Sequence, residues 1–528
     1  MRQYEAVVGL DTPSSCRAVI HKSNRTASRN DYKKMKIRYS LWPAALVFIA
    51  FGATSLGALE RKPSSAGQFY PTKAKDIGAA ADKLLAAAKG PPAEGEIVAL
   101  LVPHAGWEFS GAAAAKAYAA LGPGRWDSVI IVGTAHTRDV AGAALYPGAY
   151  ATPEGALAFD EKLAAALEAA SPLIRPDAAA HEKEHSIEVQ LPFLRKRLGA
   201  VKLVALIMNA QDLETARAVG SAIASAARGK RVLLVASSDL SHYPEGGTAD
   251  LVDQTTLAAL ASMDPAYFWL TNRLMLDRSL PHLDVSYCGE GAVTAVMTAA
   301  GELGADRFSL LSRYNSGDVV SERDYRHVVG YASGLFLRTK EAPALLTLRA
   351  QPGLRQRLLQ IARHSIEDLL SGAKVEPIAL SSMTALNLPA AVFVTINGPD
   401  GALRGCVGQT RPEETLAEAV AHMAQASATQ DARFAALKAE ELAQVRLEIS
   451  VLSRLKPVKS SAEVSQGDGV LLEQGGRTGV FLPRVWSVLP DKKSFLEELC
   501  HQKAGLPVSC ADDPATRLSV FSADILLE

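Results

Sequence analysis

The strongest constraint on the fold lies in residues 61–338, where short apolar runs alternate with alanine-rich stretches of helical period. EIVALLVP, DSVIIVGT, VKLVALIM, RVLLVASS and FSLLSRYNS read as strands, and segments such as AAADKLLAAAK lie between them. Strands that are apolar on both faces need cover on both faces, and helices returning the chain to the same sheet edge supply it. The pattern therefore predicts an α/β domain built on a doubly wound, mainly parallel sheet.

In such a sheet, ligands bind in the crevice at the carboxyl ends of the strands. His104 follows the first run in VPHAGWEFSG, His136 follows the second in VGTAHT, and Asp239 with His242 follows another in ASSDLSHY. Pro103 ends the first strand, and Gly106 is expected to let the chain turn. Cys288, in VSYCGEGAV, precedes an alanine-rich helix; Gly289 and Gly291 are expected to let backbone approach a ligand there, and a helix start favours a thiolate. A single histidine of this kind is ordinarily a satisfied loop or core residue. Three at strand ends, with a soft sulfur beside them, suit a borderline or redox-active metal. The stretch EKEHSIEVQLPFL reads as a helix starting near His185 with Glu188 on the same face, and both residues are expected to support the site.

Lys340 to Gly353 mixes breakers without a sustained period, which sets a domain boundary near residue 345: residues 59–338, a linker at 339–352, and residues 353–528. The second part opens with the helical LRQRLLQIARHSIEDLLSG. LPAAVFVTINGPDGALRGCVG reads as a hairpin turning at 397–401, and GVLLEQGGRTGVFLP as a second hairpin turning at Gly475-Gly476. With VRLEISVLS, these make an α+β domain with antiparallel strands. LRGCVG places Cys406 between glycines, either as a small buried residue or as a thiol needing close backbone access. Arg433 and Glu448 are further polar positions, read as structural.

The chain of 528 residues has 56 basic and 56 acidic side chains, so no broad positive field exists to bind nucleic acid. Basic NDYKKMKIRYS, then apolar LWPAALVFIAFGATSLGA, has the layout of a secretory signal peptide with cleavage near Ala58. The apolar core, Leu41 to Ala53, is short for a permanent span, which needs ~20 residues. Met35 is an alternative start. Cleavage implies a periplasmic protein; without it the chain is cytoplasmic or N-terminally anchored. The five cysteines show neither CxxC nor dense regular spacing, which argues against a zinc ribbon or a disulfide scaffold.

VPHAGW, VGTAHT, HEKEHSIEVQLPFL, SSDLSHY and YCGEGAV together resemble the Memo family, whose fold is similar to class III extradiol ring-cleaving dioxygenases. The resemblance implies iron(II) or copper held by His104, His136 and Cys288, with Asp239 and His242 completing the pocket and His242 moving a proton. Those dioxygenases complete their ligand set with a carboxylate; Cys288 stands at that position here, which favours another metal-dependent redox reaction over ring cleavage. An unknown small molecule or peptide is expected in the crevice; the alternative function is a non-catalytic module that binds metal or a peptide there while the second domain docks a partner.

LRGCVG, QDARFAAL, LEISVLSRLKPV, GVLLEQGGRTGVFLPRVW and FLEELCHQKAGLP resemble the AMMECR family, which makes Arg404, Gly405, Cys406 and Gly408 the candidate functional surface of the second domain. The two halves look like proteins A and B of the AmmeMemoRadiSam system in one polypeptide and imply a radical S-adenosylmethionine enzyme as partner. That chemistry needs a reducing compartment, so the partnership and export are alternatives.

Overall fold

The computed structural model describes residues 59–339 and 352–528, except 89, 91–92, 210–211, 320–322 and 375. The leader-like segment lies outside them, as does most of the linker.

The main sheet of the first domain has eight strands in the spatial order Arg307–Asn315, Gly330–Arg338, Glu96–Val102, Val232–Ser237, Ser128–Thr134, Lys202–Met208, Ala143–Leu145 and Ile174–Pro176. Glu96–Val102, Val232–Ser237, Ser128–Thr134 and Lys202–Met208 run parallel. Arg307–Asn315 and Gly330–Arg338 form an antiparallel edge joined to Glu96–Val102.

Successive strand residues point to opposite faces. Ala99, Leu101, Ile130, Val132 and Leu234 bury against the helices Leu213–Ala227 and Glu290–Glu302. Leu100, Val102, Val129, Ile131 and Leu233 bury against Ala74–Ala87, Trp107–Ala119 and Leu191–Leu198. Small residues set the helix spacing: a Cβ on Gly220 would lie 2.4 Å from the Ala295 carbonyl oxygen of the facing helix.

The second domain holds two four-stranded antiparallel sheets. The helices Leu354–Ser371 and Leu416–Thr429 cover one face of the first, burying Val392, Val394 and Ile449. The hairpin at Gly475-Gly476 has positive φ at both turn residues, 57° and 80°, as a two-residue turn of this hand requires.

One expectation is extended and one is corrected. Cys500 and Cys510 form a disulfide with a Cα–Cα distance of 5.8 Å; a pair ten residues apart, meeting only because the chain bends between them, has no spacing signature. Gly106 sits at φ −52°, a conformation open to any residue, so the chain turns there without needing glycine.

The two domains touch. Arg278 pairs with Glu418 at 2.5 Å and also donates to the Ile378 carbonyl. The Tyr267 hydroxyl donates to Pro389 O at 2.9 Å, and Arg454 meets Asp264 at 3.0 Å while lying over the Tyr267 ring. Among the described residues, no helix is long and apolar enough to cross a membrane.

Candidate metal centre

The parallel strands Glu96–Val102 and Ser128–Thr134 flank Val232–Ser237, so their carboxyl ends deliver His104, His136 and Asp239 to one edge. His104 is 1% exposed. The Asp239 carboxylate accepts its backbone N–H at 2.8 Å and that of Ala105 at 3.3 Å. The Asp239 and Leu240 carbonyls each accept the Cys288 N–H at 3.2 Å, so one loop fixes both His104 and Cys288. Asp239 thus positions the His104 backbone, and its charge also acts on His242.

Hydrogen bonds assign the tautomers. Ser237 Oγ donates to Ser186 O at 2.7 Å and accepts from Gln190 Nε2 at 3.0 Å. Its proton is therefore spent, and His104 Nδ1, 3.3 Å away, must be the donor. Glu184 accepts from His136 Nδ1 at 2.9 Å and from the His136 backbone N–H at 2.7 Å. Both rings are left with a bare Nε2, and both of these face Cys288: the sulfur is 3.3 Å from His136 Nε2 and 3.6 Å from His104 Nε2.

His185, expected as a supporting residue, joins this group. Its ring stacks on His136 at 4.4 Å and on Phe69 at 4.2 Å. Ligand atoms of His104, His136 and His185 lie within 4.8 Å of one another, a group that can hold a metal ion. The helix expected from His185 begins later, as a 3-10 turn at Glu188–Gln190 and then Leu191–Leu198 with Pro192 in its first turn. Before it the Glu184 carboxylate accepts the Ser186 N–H at 2.8 Å and bends the chain, which turns His185 into the crevice.

Glu188 points elsewhere. It forms a buried ion pair with Arg61 and accepts from Ser64 N at 2.9 Å, Ser65 N at 3.0 Å and the Tyr70 hydroxyl at 2.6 Å, anchoring the segment that enters the domain. Glu184 is the carboxylate the sequence reading missed; HEKEHSIE offers three acids, and only the turn shows which one faces the imidazoles.

Burial pushes His104 well below the ordinary imidazole range, with His136 adding to it. Burial also takes His185 down to about 3, helped by the other two rings. Burial opposes the Glu184 charge, yet its contacts with His136 and His185 hold that carboxyl well below its usual range. Burial pushes the Cys288 thiol up, and the Asp239 charge adds to the effect. Gly289 instead fits protein to protein: its N–H donates to Ser238 Oγ at 2.7 Å, and a Cβ would meet Thr134 Oγ1 at 2.7 Å. His242 lies nearby with its backbone tied to Val285 and a buried Nε2 that has no hydrogen-bond partner.

Residues 61–335 match the family model described as Memo-like protein, about half of the chain. The chain belongs to the Memo-like protein family. Residues 359–526 match AMMECR1, so a Memo-like domain is followed by an AMMECR1 domain. A MEMO1 family protein of Pyrobaculum aerophilum is 35% identical over 289 residues, 53% of this chain and 99% of that protein. One of Methanopyrus kandleri is 34% identical over 292 residues, 53% and 100% respectively. An uncharacterized protein of Pyrococcus horikoshii, PH0010, is 35% identical, with 32% of this chain and 88% of that one covered, at a TM-score of 0.30.

In the AMMECR1 domain, Arg404 clamps Glu441 at 3.0 Å and the Ala435 carbonyl at 2.7 Å. Gly405 lies so close to the covering helix that a Cβ would meet Ser427 O at 2.1 Å, and one on Gly408 would meet the Phe393 ring at 2.2 Å. Cys406 is buried, accepts the Thr395 hydroxyl at 3.3 Å, and has its thiol pushed up by burial. Arg433 pairs with Asp431 and Glu448 with Arg484.

Proposed function

We propose that the Memo-like crevice holds one iron or copper ion and uses it in a redox reaction on a small molecule. The observation that carries this reading is the convergence of two imidazole Nε2 atoms, each fixed by a hydrogen bond at Nδ1, on one thiol. Nitrogen and sulfur ligands of a tetrahedral ion would stand about 3.5 Å apart, given bond lengths of about 2.0 and 2.3 Å, and the Cys288 separations of 3.3 and 3.6 Å fit that spacing. His104, His136 and Cys288 are the ligands in this reading, with His185 the further donor on the open side. Carboxylate and hydroxyl partners behind metal-binding imidazoles are the usual support for such ligands. The orphaned His242 Nε2 supplies a polar atom that a ligand or a proton in transit would satisfy.

An ion held by these residues would supply one-electron chemistry. The chain's own part is to orient the imidazoles through their Nδ1 hydrogen bonds, to give up the Cys288 proton on binding, and to pass protons through His242. Metal content measured on anaerobically purified protein tests this: about one ion per chain is expected, lost in His104→Ala and reduced in Cys288→Ala. Full retention in both sinks the assignment, and retention with no turnover of any tested substrate leaves a binding module.

Export is part of the same proposal. The Cys500–Cys510 disulfide supports an oxidising compartment over the cytosol that a radical S-adenosylmethionine partner needs. N-terminal sequencing of the mature chain should give a start near residue 59; a start at Met1 or Met35 contradicts it.

A further inference from the structure

We infer a second, solvent-facing metal-binding site on the outer side of His242, formed by His282 and His327. A hollow of about 780 Å³ opens there, walled by Glu245, His282, Arg323, Asp324, Arg326 and His327. None of the inner donors lines it. The rings of His282 and His327 meet edge to face with centroids 4.7 Å apart.

His327 Nδ1 lies 3.0 Å from the Tyr243 carbonyl oxygen, which can only accept. Nδ1 therefore carries the proton and Nε2 is left as a bare donor, the arrangement found behind most metal-binding imidazoles. Charge does not oppose a cation. Asp324 holds Arg326 at 2.6 and 3.0 Å, and Glu245 balances Arg323 in formal charge.

Backbone strain gathers at the same place. Of five non-glycine residues with positive φ among those described, Tyr243 (68°), Ser279 (50°), His282 (58°) and Arg323 (48°) lie on the segments framing the hollow. Strain of this kind persists where surrounding structure enforces it, and it concentrates at ligand sites. Here the enforcement is visible: Tyr243 N–H donates to Val328 O at 2.7 Å and Asp284 N–H to His242 O at 3.2 Å, lacing both histidine-bearing loops to the His242 backbone. Two imidazoles with water completing the shell suit a borderline divalent ion such as zinc or copper(II).

Equilibrium dialysis of the full chain against zinc tests the site. The wild type should bind one zinc more than the His282→Ala/His327→Ala variant, while a His104→Ala/His136→Ala variant should keep the outer ion. The outer change leaves the inner crevice intact, so failure of either site is read separately. Each outer single variant should weaken the outer ion at least tenfold. Equal zinc binding by the wild type and the outer double variant, with both melting alike, would overturn the proposal.

Discussion

At the residue scale, Glu184 is the side chain on which the centre depends most without being a ligand. It is fully buried, fixes the His136 tautomer and bends the chain before His185. Glu184→Gln keeps the volume but replaces an acceptor-only group with one that can present N–H to His136 Nδ1. Metal affinity should fall about 10- to 100-fold with little loss of fold; unchanged affinity in a competition titration would show that the carboxylate is not needed. The three strand-end residues were legible in the sequence because a strand's end and a following polar residue are local signals. Glu184 and the inward turn of His185 were not, because a short turn held by one carboxylate leaves no period to read.

His181 carries a pH prediction of its own. Its Nε2 donates to Ala144 O at 3.1 Å, Tyr150 stands at Nδ1, and burial takes its pKa down to about 4. The unfolded chain protonates near the ordinary 6.5, while the folded chain resists until about 4. Stability from this group is therefore present at neutral pH and is lost as pH falls from about 6.5 towards 4. Going from pH 7 to pH 5 should cost about 2 kcal/mol. Urea midpoints at the two values check it: His181→Asn should flatten the difference by that amount, and an equal pH dependence in wild type and variant would contradict it.

At the element scale, the site rests on close approaches between strand ends and the turns above them. Gly133, one residue before the end of Ser128–Thr134, leaves room for Ser186; a Cβ there would lie 2.4 Å from Ser186 Oγ and 3.0 Å from Ile187 Cδ1. Gly133→Ala should push the His185 turn outward, costing about 1–3 kcal/mol of stability by overpacking and weakening metal binding as well. A variant that melts lower but binds metal as before would separate the packing from the site. The parallel strands and the hairpins were legible because apolar runs and glycine turns are local. LRGCVG left two readings open, a small buried cysteine in a closely approached strand or a thiol needing backbone access, and the structure favours the first, with Cys406 buried, Gly405 set against Ser427 and Gly408 against Phe393.

At the scale of the whole molecule, the Memo-like and AMMECR1 domains meet through the helices Gly246–Ala261 and Pro265–Asp277 with their flanking residues on one side, and Ile378, Asn387, Pro389, Glu418 and Arg454 on the other. Arg278 makes two of these contacts, to Glu418 and to the Ile378 carbonyl. Arg278→Ala should speed hydrogen exchange in the short helix Thr384–Asn387 and around the Thr415 cap, with metal content unchanged; unaltered exchange would show that the contact carries no coupling. No sequence signal foretold this surface, since a single arginine reaching across 100 residues of chain has no local pattern.

X-ray absorption at the metal edge of the iron- or copper-loaded chain tests the central claim most directly. The account predicts one sulfur scatterer at about 2.3 Å with two or three nitrogens at about 2.0 Å, and loss of the sulfur in Cys288→Ser. A spectrum with no sulfur in the wild type, and only imidazole nitrogen and water around the ion, would contradict Cys288 as a ligand and leave the three histidines as the centre.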